Sequence, residues 1–161
     1  MRSTLYPWNV ELSLSDIFSD HVGSIEERAR QKGITVFYES TAVKKIYADE
    51  NIINTVLRNL LANALKFTAR GGEVTLRAKE REDGMTEISV IDTGVGIHKD
   101  VIDKLFILGE KVGTTGTEDE PSTGLGLILC KEFVEKHGGK IWAESQENVG
   151  STFYFTIPKV G

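Results

Sequence analysis

The chain has a single cysteine, Cys130, among its 161 residues. One cysteine cannot form an internal disulfide or a cysteine-based zinc site, and its amphipathic segment LILCKEFVEKHG favours buried packing over nucleophilic chemistry. The three histidines, His21, His98 and His137, lie far apart without ligand spacing, so the sequence does not support a histidine metal site. We expect all three histidines to have structural roles.

Other absences exclude further classes of protein. The 19 basic and 24 acidic residues give a net charge of −5 without a basic block, which argues against nucleic-acid binding through phosphates. No run approaches the ~20 apolar residues of a membrane span, and no signal peptide is evident. Hydrophobic and charged fractions of 40% and 27% are typical of globular proteins. We therefore expect one soluble, cytoplasmic domain over residues 1–161, without membrane insertion.

Hydrophobic periodicity predicts a mixed α and β chain. Predicted strands cover about 8–12, 34–40, 45–49, 73–82, 86–92, 140–146 and 151–158. Predicted helices cover about 13–32, 51–68, 98–106 and 125–137. The inner face of the first helix should contain Leu14, Ile17, Phe18, Val22, Ile25 and Ala29. Turn signals pair the fourth with the fifth strand and the sixth with the seventh. The expected fold class is α+β, with one mostly antiparallel sheet covered on one face by about three helices.

The second helix carries an unusual polar stripe. Asn59, Asn63 and Lys66 recur at i, i+4 and i+7, beside a broad apolar face. Asparagine is a mediocre helix former because its side chain competes for backbone hydrogen bonds. One explanation is a site in which an amide oxygen binds a hard cation and the lysine meets phosphate.

The sequence contains three glycine-containing motifs, and two of them have two interpretations each. DTGVGI (92–97) follows a buried strand, and is either a tight turn or a place where a ligand approaches the backbone and Asp92 accepts from a purine amino group. STGLGL (122–127) opens a helix and is either a capped junction or a phosphate site at a helix N-terminus. GSTFYF (150–155) alone favours a structural turn into a strand. The polar segment 107–123 lacks periodicity, as functional loops often do.

Taken in order, these motifs resemble the boxes of a sensor histidine kinase catalytic and ATP-binding domain. The resemblance covers roughly residues 13–158, and the superfamily also includes gyrase, mismatch-repair ATPases and a heat-shock chaperone. The matching segments are NLLANALKFT for the N box, DTGVGI for G1, KLFILGEKV for the F box, STGLGL for G2, and GSTFYFTIP for the terminal glycine motif. The resemblance implies the two-layer α/β sandwich of the Bergerat-type ATP-binding fold.

The resemblance also implies residue roles around Mg²⁺ and ATP. Asp92 would accept from the adenine amino group, Gly94 and Gly96 would leave room for the base, and Phe106 would anchor the ATP lid, 107–123. Asn63 would coordinate Mg²⁺, with Asn59 supporting it. Lys66, Lys111, Gly124 and Gly126 would approach the phosphates, and the catalytic set would be Asn59, Lys66 and Lys111. Further nucleotide contacts are implied at Ile97, Thr123, Leu125, Leu127 and Thr152.

Two positions depart from the family pattern. Ser122 stands where members often have glycine at the start of the G2 box, and Ser122 can cap a helix but allows a less close approach. Lys111 stands where many members have arginine. An ammonium is a point charge, so bidentate phosphate contact through a planar guanidinium is lost.

The residue at position 59, Asn59, affects whether the site hydrolyses ATP or transfers its phosphoryl group. Hydrolysing branches of the superfamily carry a glutamate four residues before the metal-binding asparagine, whereas an amide cannot take a proton from water. No histidine here has the acidic and then basic residue that follow the family's phosphoacceptor. We therefore expect γ-phosphoryl transfer to a histidine on a separate dimerisation domain absent from this chain, with a response regulator as an indirect partner and the isolated domain a monomer. The alternatives are a non-catalytic nucleotide-binding module that docks a partner and a hydrolysing ATPase.

Overall fold

The computed structural model describes residues 9–39, 42–102, 104–107 and 125–158. The elements are β1 (Asn9–Ser13), α1 (Leu14–Gln31), β2 (Thr35–Tyr38), β3 (Lys45–Asp49), α2 (Glu50–Phe67), β4 (Glu73–Glu80), β5 (Met85–Asp92), α3 (Lys99–Ile102), α4 (Leu125–Lys136), β6 (Ile141–Gln146) and β7 (Gly150–Pro158). The predicted α+β class is confirmed. None of the helices in the described ranges has the length and hydropathy that a membrane crossing requires.

The main sheet has five strands in the order β2-β4-β5-β7-β6. Only the β2–β4 pair is parallel, and both predicted hairpins, β4–β5 and β6–β7, are present. Strand β5 is central, and one face of it carries Ile88 and Val90, which are 0% and 1% exposed. Because β5 ends at Asp92, the motif DTGVGI leaves the sheet from its middle strand.

The prediction of a single sheet was wrong. Strands β1 and β3 pair with each other in a separate two-stranded antiparallel sheet, from Asn9↔Asp49 to Ser13↔Lys45. This pairing joins segments separated by a helix and a strand, so no local turn signal marks it. The inward side chains Leu12, Ile46 and Ala48 are buried in the common core.

Two helices begin and end where local signals indicate. The Asp49 side chain accepts hydrogen bonds from Asn51 N at 2.9 Å and Ile52 N at 3.3 Å, which caps α2. Ser13 caps α1 in the same way, and the chain leaves α1 at Gly33. The predicted apolar stripe of α2 is buried throughout, at Ile53, Val56, Leu57, Leu60, Leu61, Ala64 and Leu65.

The predicted inner face of α1 is confirmed, with Val22 partly buried and packed against the core. His21 is also buried on this helix, with Nε2 3.0 Å from Asn54 Oδ1. One helix prediction needs correction. The helix predicted over 98–106 is the single turn α3. Beyond it the backbone makes i+3 bonds, such as Ile107 N to Lys104 O at 3.2 Å, and these tight turns bring Leu105 into the core.

Candidate functional site

An apolar pocket of about 180 Å³ lies between the C-terminal half of α2, the segment after β5, and the start of α4. Its lining residues are Asn63, Phe67, Val95, Gly96, Ile97, His98, Val101, Leu105, Leu127 and Phe153. The volume is below the ~300–1,000 Å³ usual for a whole drug-sized ligand. A pocket of this size and character suits a flat heterocycle, with the polar remainder of the ligand outside it.

Asp92 stands at the end of β5 with 6% of its surface exposed. Its Oδ1 accepts from Gly94 N at 2.9 Å and from Ser151 N at 3.2 Å. We find no donor to Oδ2 among the described residues. Burial raises the pKa of Asp92 to about 6, because desolvation of the carboxylate outweighs the two backbone hydrogen bonds that favour the charged form. Asp92 is therefore a buried acceptor fixed at one oxygen.

Asp92 does not line the pocket, but residues near it in the sheet and in the following loop do. It pairs with Ser151 across β5 and β7, while Phe153, two residues further along β7, lines the pocket on the same face of the sheet. The loop after Asp92 also bonds to α2, through Val95 N to Phe67 O at 3.0 Å. The loop whose Gly94 N bonds to the Asp92 carboxylate is thus also bonded to the last residue of α2.

Gly94 and Gly96 are each required by a close backbone contact that the sequence did not reveal. A Cβ at Gly94 would lie 2.2 Å from the Phe67 carbonyl oxygen, so the backbone of α2 occupies that space. Gly96 has φ of +76°, and a Cβ there would lie 2.2 Å from the Gln146 carbonyl oxygen. Gly96 borders the pocket, whereas Gly94 is required by the close approach of two backbones.

The three residues of the polar stripe of α2 lie in three different surroundings. Asn63 lines the pocket. Asn59, one turn earlier, donates from Nδ2 to Thr55 O at 2.8 Å, and its Oδ1 faces α4, where a Cβ at Gly126 would lie 2.7 Å away. Lys66 is half-buried, has contacts of its own within the fold, and is not among the pocket-lining residues. The structure therefore brings Asn63 to the pocket and Asn59 to the beginning of α4.

Several predicted residues lie around the opposite wall. Ile97 and Leu127 line the pocket, and Ile97 N donates to Ser145 Oγ at 2.7 Å. Phe106 packs edge-on against Phe153, with ring centroids 6.3 Å apart. The described residues do not include Lys111, Ser122, Thr123, Gly124 or the side chain of Leu125. Of the predicted lid they include only Ile107.

The prediction of Thr152 as a nucleotide contact disagrees with the strand register. Thr152 pairs with Ile91, and its side chain hydrogen-bonds with Tyr154, on the face of the sheet opposite to Asp92. Ser151 occupies the Asp92 face instead, where its Oγ lies 2.8 Å from Ser145 Oγ. The alternation of Phe153, Phe155 and Ile157 already predicts this result, because Ser151 shares their phase and Thr152 does not.

His98 is a pocket residue that the sequence gave no reason to select. It precedes α3, and its Nδ1 accepts from Asp100 N at 3.1 Å. Its Nε2 lies 3.8 Å from Glu147 Oε1. The structural role predicted for His137 is confirmed, since its Nδ1 lies 3.0 Å from Phe133 O and its Nε2 accepts from Asp49 N at 3.4 Å.

The described residues contain no cluster of three histidine, cysteine, aspartate or glutamate side chains that could hold a metal ion. Asn63 nevertheless offers a hard amide oxygen at the pocket. Mg²⁺ usually keeps several waters and is held by one or two protein oxygens together with substrate phosphates. This donor set therefore fits a magnesium ion that arrives with a polyphosphate, and does not fit a resident metal.

Comparisons with known proteins find relatives of the chain both in sequence and in fold. A family profile described as "Histidine kinase-, DNA gyrase B-, and HSP90-like ATPase" matches residues 48–161. The adaptive-response sensory kinase SasA of Prochlorococcus marinus (strain MIT 9313) is 34% identical over 148 residues, which cover 91% of this chain and 40% of that protein. The chain thus spans about two fifths of the length of this curated relative.

Solved structures also match over nearly the whole chain. The nucleotide-free catalytic domain of histidine kinase ThkA has a TM-score of 0.79 and 32% identity, covering 94% of this chain and 95% of that one. Full-length ShkA, solved in complex with AMPPNP, has a TM-score of 0.81 and 27% identity, covering 94% of this chain and 31% of that one.

Proposed function

The chain belongs to the histidine kinase-, DNA gyrase B- and HSP90-like ATPases and, among them, to the histidine kinase catalytic domains, and on this premise we propose that it binds Mg-ATP and transfers the γ-phosphoryl group to a histidine of a separate dimerisation domain. The observation that carries the proposal is the Val95–Phe67 backbone bond, which attaches the loop after the buried Asp92 to the helix that presents Asn63 at the pocket. In such a site, an acceptor for the base and an oxygen ligand for the metal face one ligand from two sides.

The adenine end is supported by the buried acceptor and the apolar walls. An adenine ring in the pocket would stack between apolar side chains, with its amino group donating to Asp92. Gly96, Ile97, Leu127 and Phe106 would form or support the walls, as the resemblance implies. Because two buried acceptors that face each other are both left without a donor, the fixed carboxylate gives selectivity for adenine over bases that present an acceptor there.

The phosphate end is supported by the position of Asn63 on α2. Bound Mg²⁺ would bridge the phosphates and neutralise charge that develops during transfer. Asn63 would hold the metal, and Asn59 would keep α4 and its Gly126 close to the phosphates. We propose the remaining phosphate contacts at Lys66, Lys111, Gly124 and Gly126, with further nucleotide contacts at Thr123 and Leu125.

Transfer is favoured over hydrolysis because the side chain at position 59 is an amide. Its Nδ2 donates to Thr55 O, and an amide has no basic site that could deprotonate water. ATP would therefore be held in line for an external imidazole nitrogen, which forms the new bond to phosphorus as ADP leaves. A nucleotide-binding module that only docks a partner is the second candidate, and the same site geometry serves both.

We further propose that 1–161 forms one catalytic and ATP-binding domain with 107–123 as its lid. The histidine-bearing dimerisation domain would be its direct partner, and a response regulator would receive the phosphoryl group afterwards. The domain alone would be a monomer at the cytoplasmic side of a parent kinase.

The first test mixes the chain with γ-labelled ATP, Mg²⁺ and a separately produced dimerisation domain from its parent protein. We expect label on the dimerisation domain that is lost in acid, as a phosphohistidine would be, and no label when its acceptor histidine is replaced. ATP binding without any transfer would instead favour the docking module. Rapid phosphate release by the chain alone, abolished by replacing Asn59, would indicate a hydrolysing ATPase.

The pH dependence of binding provides a second test. With a pKa of about 6, Asp92 is ionised above this pH, and its Oδ2 can then accept from the adenine amino group while Oδ1 keeps its two backbone bonds. One pH unit below the pKa only about a tenth of the sites are ionised, and affinity falls with the competent fraction. We expect ATP to bind about tenfold more weakly at pH 5 than at pH 7.5, by calorimetry.

Two variants isolate the Asp92 contribution. Protonation of ATP itself is common to wild type and Asp92→Asn, so the difference between their pH profiles reports Asp92. A His98→Gln variant removes the imidazole at the pocket and should keep the wild-type profile. A profile that disappears in His98→Gln but persists in Asp92→Asn would assign the titration to His98 and contradict the prediction.

A further inference from the structure

The C-terminal end of α2 is held by a lysine from a different helix. Lys32 Nζ donates to Leu65 O at 2.8 Å and to Lys66 O at 2.9 Å. These two carbonyls belong to the last four residues of α2, which have no partners within the helix itself. A lysine at this end also meets the negative pole of the helix dipole. Lys32 therefore supplies both hydrogen bonds and charge to the last turn of α2.

The other two terminal carbonyls have partners as well. Thr68 Oγ1 donates to Ala64 O at 2.7 Å, and Val95 N donates to Phe67 O at 3.0 Å. Every terminal carbonyl of α2 is thus bonded, and one of the bonds comes from the loop that follows Asp92. The last turn of α2 is the point at which this loop is attached.

Lys32 also closes the helix to which it belongs. Its backbone N donates to Arg28 O at 3.2 Å and to Ala29 O at 3.1 Å, at the C-terminus of α1. In the reverse direction, Arg70 Nη1 from beyond α2 donates to Gln31 O at 3.2 Å. The C-termini of α1 and α2, which are the negative poles of their helix dipoles, therefore lie side by side. Lys32 at the end of α1 bonds to α2, and Arg70 beyond α2 bonds to α1. Without these cations, the two ends would repel each other.

We propose that Lys32 is a positioning residue for the nucleotide site, acting through the last turn of α2; this inference rests on the proposed ATP binding. Asn63 and Phe67 both line the pocket and lie at or beside this turn. If the turn frays, Asn63 loses its fixed orientation and the Phe67 carbonyl releases Val95. Lys32 lies outside the residues matched by the family profile, 48–161, and outside all the motifs of the nucleotide site.

The test compares Lys32→Met and Lys32→Gln with the conservative Lys32→Arg. Lys45→Met is the control for loss of one lysine charge, because Lys45 is 58% exposed and pairs with Glu11 on the separate β1–β3 sheet. Two quantities are measured at a temperature where each variant is folded: the Kd for Mg-ATP, and hydrogen exchange of the amides of residues 64–68. Lys32→Gln keeps a donor without the charge, and remains informative if Lys32→Met does not fold.

We expect Lys32→Met to raise the Kd about tenfold and to speed exchange at residues 64–68, as loss of two charge-assisted bonds predicts. Lys32→Gln should lie between, and Lys32→Arg and Lys45→Met should stay close to wild type. Unchanged exchange with weaker ATP binding would mean that Lys32 attracts phosphate directly, and would overturn the inference. So would wild-type affinity in Lys32→Met or Lys32→Gln. A wild-type chain that does not bind Mg-ATP would instead refute the proposed function.

Discussion

Replacing Asn63 with alanine should remove most of the magnesium-dependent part of ATP binding while adenine recognition persists. The described part of the chain has no carboxylate cluster at the pocket, so the Asn63 amide is the protein oxygen that we propose for the metal. At a hundredfold excess over its Kd, Mg-ATP should stabilise the wild-type chain by about 2.7 kcal/mol. In Asn63→Ala, the stabilisation measured by thermal unfolding with Mg²⁺ present should fall most of the way to the value that ATP gives without Mg²⁺.

Asn51→Ala is the matched control, because Asn51 lies on the same helix and its side chain is exposed. It should leave the magnesium-dependent shift unchanged. We also expect Mg²⁺ alone to give no shift in either protein, since a single neutral amide binds the ion weakly without phosphates. An Asn63→Ala chain that keeps the full magnesium-dependent shift would exclude Asn63 as the ligand.

The parts of the site that the sequence predicted are those set by local patterns. Helix α2 and its buried apolar stripe follow from residues within a few positions of one another, and the structure agrees with both. The position of Asp92 follows from one strand and the glycine that comes after it. Hairpins also have local turn signals, which is why both were predicted.

The strand pattern in the sequence was enough to correct the assignment of Thr152. Motif resemblance selects a hydroxyl near the terminal glycine, but only the two-residue period of the strand says which hydroxyl faces the site. That period selects Ser151, which pairs with Asp92 and donates to it from its backbone. A motif therefore needs to be combined with strand phase before a residue is assigned to a site.

Other features depend on contacts between distant segments and have no local signal. Gly94 is required because the Phe67 carbonyl, 27 positions earlier, occupies the place of a side chain. The β1–β3 pair and the Lys32 bonds to α2 likewise join residues more than 30 positions apart. Charge and hydrophobic pattern show that Lys32 is near a helix end, but the neighbour of that end is fixed only by packing of the whole domain.

Asp92→Asn should reduce the affinity for adenine nucleotides by roughly a hundredfold, the size expected when two buried donors oppose each other. The asparagine Oδ1 can still accept from Gly94 N and Ser151 N, so its NH₂ takes the place of Oδ2 and faces the adenine amino group. Direct titration with ATP measures the loss. The control is Asp20→Asn, which neutralises an exposed carboxylate on α1 and should bind as wild type.

The same substitution should make the ligand-free domain more stable. Because the pKa of Asp92 is raised from 3.8 to about 6, the folded state binds more protons than the unfolded state between these values, and wild-type stability falls as pH rises through this window. A shift of this size corresponds to about 3 kcal/mol above pH 6, and weaker hydrogen bonds to a neutral amide offset part of it.

We therefore expect Asp92→Asn to unfold at a higher denaturant concentration than wild type at pH 7, with the advantage shrinking as pH falls from 6 towards 4. If the variant loses ATP binding and gains stability, the Asp92 carboxylate serves ligand recognition and does not stabilise the fold. If Asp92→Asn loses stability at pH 7 along with binding, the charge of Asp92 stabilises the fold, and the functional reading of its burial is wrong.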